Sequence, residues 1–176
     1  MSYTSELTWP ARAVVTAGMP YGNKKLHFGH VAGVFVPADA YARFLRDRIG
    51  EQNVLFVSGT DCFGSPIQEG YRKACENEGF EGTIVDYVQR NHDAQKATLD
   101  AYDISLSIYE GSGIGRAGEV HQRVTNDLLE KLHENGHLRL METLQFYDPE
   151  AGQFLNGRQA VSYTHLRAHE TRRHLV

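Results

Sequence analysis

The chain has 176 residues, a net charge of −4 and 41% hydrophobic residues, which is typical of a globular protein and excludes general disorder. The negative charge excludes a surface that binds nucleic acid by overall charge alone. Cys62 and Cys75 are too few for a disulfide framework or a complete zinc site. There is no signal-peptide pattern, and no apolar run approaches the roughly 20 residues that span a membrane. We therefore expect a cytoplasmic protein without a membrane partner.

The first half of the chain predicts a β-α-β unit. Residues 12–17 are short and apolar, as in a buried strand, and a Gly/Pro-rich loop over residues 18–30 follows. Apolar positions recur every three or four residues over 31–48, which predicts a helix that Pro37 kinks or restarts. A second buried strand is predicted at 54–57. Two strands joined by one helix make a parallel pair, so the fold class is α/β.

The same signals predict further elements downstream. Ser65 is expected to cap a helix that runs to about residue 77, with Pro66 in its first turn. Thr83 is expected to cap the next helix, which continues to about residue 102. Later segments are a third strand at 104–108, a helix at 119–135 that stops at Gly136, a strand at 138–146 and a turn at 148–152.

Residues 161–176 break this pattern. Arginines and histidines crowd together there without an apolar stripe. His165, His169 and His174 do not make a convincing metal site, because no carboxylate or thiolate completes the set. The segment resembles translated vector or adapter sequence. We treat it as an artefactual tail and leave it out of the fold prediction.

Two histidines, His27 and His30, stand where the first helix begins after the Gly/Pro loop. Backbone donors and the helix dipole favour an anion at such a position, and imidazoles can add hydrogen bonds to phosphate oxygens. Gly29 between them lets a nucleotide approach the backbone. The alternatives are two unrelated surface histidines, or a zinc pair. Zinc is less favoured because helical zinc histidines usually lie four residues apart.

Asp61 follows the second predicted strand at its carboxyl end, the edge where open α/β sheets bind ligands. A carboxylate there suits an ammonium group. The alternative for Asp61 is an Asx-turn or a cap residue. Cys62 is interpreted as a small buried apolar residue, since no base lies near it in the sequence.

Several motifs in one order carry a family resemblance. Residues 27–30, His-Phe-Gly-His, match the HIGH signature, and residues 17–23 look like the "A-L-P-Y-x-N" loop. Residues 59–61 match a "G-T-D" strand end, and residues 145–149 and 154–158 resemble the approach to a connective domain. Together they resemble the class I aminoacyl-tRNA synthetases, and among these the methionyl family.

The resemblance implies the first half of a Rossmann-like catalytic domain over residues 1–137, opening into a connective zinc-knuckle domain at 138–160. It implies ATP-dependent activation of L-methionine to methionyl-adenylate and transfer to tRNA(Met), with ATP bound as its Mg²⁺ complex. Asn23, His27, Gly29 and His30 would contact ATP, with the two histidines catalytic. Met19, Tyr21 and Asp61 would bind the amino acid.

Departures from the family limit this interpretation. Phe63 replaces a histidine that often follows the G-T-D aspartate. The lysine-containing KMSKS loop and the cysteines of the zinc knuckle do not occur among the 176 residues. We therefore expect an amino-terminal fragment, inactive alone, with zinc only in the missing connective domain. A leucyl, isoleucyl or valyl sibling and a non-catalytic partial nucleotide-binding domain stay open as alternatives.

Overall fold

The computed structural model describes residues 8–142, 146–148 and 153–155. Three parallel strands form one sheet: β1 (Ala13–Thr16), β2 (Val54–Thr60) and β3 (Ile108–Gly111), with β2 in the centre. β1 pairs with the first half of β2, and β3 pairs with its second half. The predicted parallel α/β architecture is confirmed.

The connection from β1 to β2 is helical throughout residues 28–49. It consists of α1 (Phe28–His30), a π-helical turn (Val31–Phe35) and α2 (Val36–Ile49). Pro37 lies in the first turn of α2. Because proline has no N–H and its ring crowds the preceding turn, the wider π-turn accommodates it. The restart predicted at Pro37 is confirmed, and Gly50 ends the helix with φ 95°.

Two helices connect β2 to β3: α3 (Ser65–Glu78) and α4 (Ile84–Ala101). Thr83 caps α4 as predicted, since its hydroxyl accepts from Asp86 N–H and the Asp86 carboxylate accepts from Thr83 N–H. The prediction that Ser65 caps α3 is wrong. Gly64 holds the cap position with φ 106°, so Ser65 already lies inside the helix and makes no capping bond.

The third strand begins later than its alternating pattern predicted. Ile104 is buried but lies outside any strand, and pairing with β2 starts only at Ile108. Ile104 packs into the hydrophobic core just after α4. It is apolar because of this packing, and the sequence pattern therefore resembled that of a strand. The partner strand determines where β3 begins.

The main core covers one face of the sheet. Inward side chains of the strands pack there against α2 and α4, with Phe35 and Phe56 fully buried and Leu99 nearly so. On the opposite face Val14 is 65% exposed and Leu55 is 50% exposed. The prediction that β1 and β2 are buried strands is therefore correct for one face only. A second core cluster, centred on Ile67 and Tyr87, joins α3 to α4.

α5 (Gly115–Glu134) begins four residues before the predicted helix, and Gly136 follows it with φ 72°. Two short strands, β4 (Phe146–Asp148) and β5 (Gln153–Leu155), pair antiparallel. Residues 138–142 have no regular structure, so the strand predicted at 138–146 is wrong over that part. Much of the predicted turn at 148–152 and all of 161–176, with its three histidines, lie outside the described residues. None of the described helices combines the length and apolar character needed to cross a membrane.

Candidate functional site

The loop after β1 is attached to the carboxyl end of β2 through its backbone. Gly22 N–H donates to Asp61 O and Asp61 N–H donates to Pro20 O, both at 2.8 Å. These bonds pair Tyr21 with Asp61 as an isolated parallel bridge. The loop residues and the aspartate that the sequence assigned to one site therefore lie at one edge of the sheet.

His27 and His30 cap the first helical turn reciprocally. His27 holds the N-cap position, and its Nδ1 accepts from Gly29 N–H at 3.1 Å. His30 Nδ1 accepts from His27 N–H at 3.2 Å. The two rings lie 3.8 Å apart between centroids, at an angle of 33°. This is a capping box built from imidazoles in place of the usual hydroxyl and carboxylate.

The capping bonds fix the protonation of both rings. A nitrogen that accepts a hydrogen bond carries no proton, so in the neutral state each imidazole has its proton on Nε2. Burial lowers the pKa of His30, and the nearby charges of His27 and Lys24 lower it further. Because each Nδ1 is occupied as an acceptor, the pair offers Nε2–H donors, which suit phosphate oxygens.

Gly29 has a local steric role in addition to the one predicted. A Cβ at this position would lie 3.1 Å from both Nδ1 and Cε1 of His27. A side chain at residue 29 would push the His27 ring away from the backbone N–H that it caps. The neighbouring Phe28 is 81% exposed. Glycine at residue 29 thus leaves the His27 ring in its capping position, whereas a Cβ would require that exposed ring to shift by a few tenths of an ångström.

Asp61 is half-buried and forms the Asx-turn that the sequence left open as an alternative. Its Oδ1 accepts from Phe63 N–H at 3.2 Å. This bond orients the side chain at the sheet edge, and the turn does not exclude the binding of an ammonium group. Phe63 is 59% exposed, and its apolar side chain supplies no polar group there.

The three loop residues predicted to bind ligands, Met19, Tyr21 and Asn23, have different surroundings. Met19 Cε comes within 3.2 Å of where a Cβ on Gly59 would lie, so its thioether covers the end of β2. Tyr21 is 47% exposed. Asn23 turns to α3, where its Nδ2 donates to Pro66 O at 3.3 Å. Its Oδ1 is buried and has no hydrogen-bond partner among the described residues.

The sequence reasoning missed a buried polar cluster beside this loop. Gln95 and Thr60 are fully buried, and Asn91, His92 and Tyr109 are nearly so. Side chains of α4 from this region hold the loop carbonyls. Tyr87, Asn91 and Gln95 recur every four residues, the spacing of one helix face, but this spacing alone does not distinguish a buried polar face from an exposed one.

Cys62 is half-buried, and its thiol donates to Thr60 O at 3.3 Å. It lines an apolar cavity of about 210 Å³ together with Ile67 and Val88. Neither cysteine forms a disulfide. Within the described parts of the chain, no group of three histidine, cysteine or carboxylate side chains is placed to hold a metal ion.

Comparison with protein families decides the relationship. The family model described as "tRNA synthetases class I (M)" matches residues 13–172. The chain belongs to the class I tRNA synthetases. The family resemblance predicted from the motifs is thereby confirmed.

Curated relatives of the chain are members of the same class. The chain is 38% identical over 152 residues to the methionine–tRNA ligase of Cytophaga hutchinsonii, a match that covers 86% of this chain and 20% of the relative. It is 37% identical over 147 residues to that of Bacteroides fragilis, covering 84% of this chain and again 20% of the relative. The chain thus spans about a fifth of the length of these relatives.

Solved structures of the class support the fold. Mycobacterium tuberculosis methionyl-tRNA synthetase in complex with methionyl-adenylate superposes with a TM-score of 0.64 at 24% identity. The match covers 84% of this chain and 26% of the other. At this identity the likeness shows the fold alone, and that fold agrees with the predicted first half of a class I catalytic domain.

Proposed function

We propose that the chain supplies one side of the active site of a methionine–tRNA ligase that acts in the cytoplasm. Two findings support this assignment: membership of the class I synthetases, and relatives that are named methionine–tRNA ligases. The observation that carries it is local. The reciprocal histidine cap follows directly after a loop that is bridged to Asp61.

Activation of an amino acid by ATP needs hydrogen-bond donors to the phosphates more than it needs a strong base. Methionine's carboxylate oxygen attacks the α-phosphorus of ATP, a new P–O bond forms, and the bond to pyrophosphate breaks. The carboxylate is already an anion, so the rate depends on positioning and on stabilising phosphate charge. His27 and His30 would donate from Nε2–H to phosphate oxygens, with Gly29 beside them. In the second step the methionyl group passes to the terminal ribose of tRNA(Met), and AMP leaves.

The amino acid would lie across the loop–β2 bridge. Asp61 would bind the α-ammonium group of methionine, held in orientation by Phe63 N–H. Met19 and Tyr21, both about half exposed, would contact the methionine side chain. Asn23 is proposed at the ATP site; its side chain, whose Oδ1 is buried and unpartnered among the described residues, would turn outward to contact the nucleotide.

Metal ions are not assigned to the described residues. Mg²⁺ usually binds through substrate phosphates with one or two carboxylates, and the described residues include no group of three or more His, Cys, Asp or Glu side chains placed to hold an ion. The ion would enter with ATP. The two cysteines of the described part are not grouped with other ligands, so zinc does not fit here either.

Binding of a stable methionyl-adenylate analogue tests the proposal. We expect the sulfamoyl analogue to bind the 176-residue chain, measured by calorimetry. His27→Ala, His30→Ala and Asp61→Asn should each weaken binding about tenfold or more, since each removes a charged or charge-assisted contact. His121→Ala, an exposed histidine on α5, is the matched control and should bind as the unmodified chain does. Equal binding by all variants would contradict the site.

The two open alternatives give different results in the same assays. For a sibling synthetase, the leucyl or isoleucyl analogue would bind more tightly than the methionyl one; a single methylene changes binding by about 1–3 kcal/mol. A methionine site reverses that order. For a chain that binds but does not catalyse alone, methionine-dependent exchange of labelled pyrophosphate into ATP should be absent. Exchange by the 176-residue chain would contradict that expectation.

A further inference from the structure

Four successive carbonyls of the loop at residues 21–24 each accept a hydrogen bond from a side chain of α4. Gln95 Nε2 donates to Tyr21 O and to Lys24 O, both at 2.9 Å. The two carbonyls between them are bound by the neighbouring turns of the helix. Asn91 Nδ2 donates to Gly22 O at 3.0 Å, and the Tyr87 hydroxyl donates to Asn23 O. We call Tyr87, Asn91 and Gln95 the α4 ladder.

Gln95 connects this ladder to the sheet. Its Oε1 accepts from the Thr60 hydroxyl at 2.8 Å and from the Tyr109 hydroxyl at 2.9 Å. Both amide hydrogens and both oxygen lone pairs are therefore used, and the side chain is fully buried. Thr60 immediately precedes Asp61. One amide thus joins the loop, the end of β2 and β3.

Neighbouring groups fix the direction of these hydrogen bonds. The carbonyl oxygens of Tyr21 and Lys24 can only accept, so the NH₂ group of Gln95 faces them and its Oε1 faces the hydroxyls of Thr60 and Tyr109. The Thr60 hydroxyl oxygen also lies 2.8 Å from His92 Nδ1. Burial lowers the pKa of His92, which favours the neutral ring. Burial also raises the pKa of Tyr109 to about 12, which keeps that phenol protonated as a donor. The amide of Gln95 is consequently held in one orientation.

We propose that Gln95 is a positioning residue of the amino-acid site. It contacts no substrate atom; it holds the backbone of Tyr21 in register with Asp61, the two residues on either side of the bridge. This inference rests on the proposed methionine site. Without Gln95, two loop carbonyls and the hydroxyls of Thr60 and Tyr109 lose a partner in a dry interior, which favours movement of the loop toward water.

The test compares two buried substitutions on the same helix. Gln95→Met keeps the length of the side chain and removes its hydrogen bonds. Leu99→Ala, one turn later, removes core packing and touches no loop carbonyl. Both variants lower the stability of the chain. Only Gln95→Met should speed hydrogen exchange at Gly22 N–H and Asp61 N–H, the two bonds of the bridge, by about tenfold or more beyond the change in global stability.

Binding provides the second measurement. We expect Gln95→Met to raise the Kd of the methionyl sulfamoyl-adenylate analogue about tenfold, while Leu99→Ala leaves it unchanged at temperatures where both variants are folded. Exchange at the two amides that is no faster in Gln95→Met than in Leu99→Ala would overturn the positioning role. If Gln95→Met does not fold, Gln95→Asn, whose shorter side chain withdraws the amide from Tyr21 O and Lys24 O, gives the same comparison. No binding by the unmodified chain contradicts the proposed function, while the exchange result still decides whether Gln95 fixes the loop.

Discussion

Gly59 lies on β2 beside Glu110 of β3, which makes Gly59→Ala a direct probe of the sheet edge that carries the site. Gly59 pairs with Glu110 in the parallel ladder and is buried. A Cβ added there would lie 1.9 Å from Glu110 O and 3.2 Å from Met19 Cε. An ordinary contact needs at least 3.4 Å. The carbonyl belongs to a hydrogen-bonded strand, so β3 has to move by more than an ångström.

We expect Gly59→Ala to lower the free energy of unfolding by about 3 kcal/mol or more, the upper end of overpacking effects, because backbone rather than a flexible side chain is in the way. Gly33→Ala is the control, since a Cβ there meets nothing within 4 Å. It lies in a helical segment and should stabilise by up to about 1 kcal/mol. Urea unfolding followed by circular dichroism measures both. A Gly59→Ala variant within about 0.5 kcal/mol of the unmodified chain would refute the packing described for β2 and β3.

Three further predictions follow from single contacts. Burial raises the pKa of Asp39, but hydrogen bonds from Ser105 and Arg43 outweigh it and leave that pKa below its usual value. Asp39→Asn should therefore lower the free energy of unfolding by about 1–2 kcal/mol at pH 7. Urea unfolding should show that this difference shrinks as the pH falls through the lowered pKa of Asp39. Thr83→Ala should lower the free energy of unfolding by about 1 kcal/mol, and Ser65→Ala should leave it almost unchanged, because of these two residues only Thr83 makes a capping bond. Thermal unfolding measures both variants, and equal losses of stability would contradict the assigned caps. Nitrogen-15 NMR at alkaline pH should find His27 and His30 as Nε2–H tautomers, because each Nδ1 accepts a backbone hydrogen bond; a proton on either Nδ1 would rule out the reciprocal cap.

Much of the fold follows from local sequence signals. The spacing of apolar residues predicted β1, α2 and β2, and the Thr83 cap was readable because its partner Asp86 lies three residues away. These features depend on neighbours in the sequence. The positions of the motifs on a strand end, a loop and a helix start were predicted for the same reason.

The remaining features depend on distant partners. β3 begins at Ile108 because β2 offers its free edge there, which the alternation from residue 104 could not indicate. Gly64 adopts a positive φ and displaces Ser65 from the cap. Gln95 looks like an ordinary polar residue of an amphipathic helix until the loop at residues 21–24 and the two hydroxyls surround it. Long-range contacts of this kind leave little trace in local periodicity.

The proposed site requires the histidine cap and Asp61 to face one ligand. Proton–nitrogen correlation spectra of the 176-residue chain, titrated with the methionyl sulfamoyl-adenylate analogue, test this arrangement. We expect the amide signals of Gly29, His30 and Asp61 to shift together along a single binding curve, with the Nε2–H signals of His27 and His30. Saturation that leaves Asp61 or the histidines unmoved, or shifts that centre on another part of the chain, would contradict it.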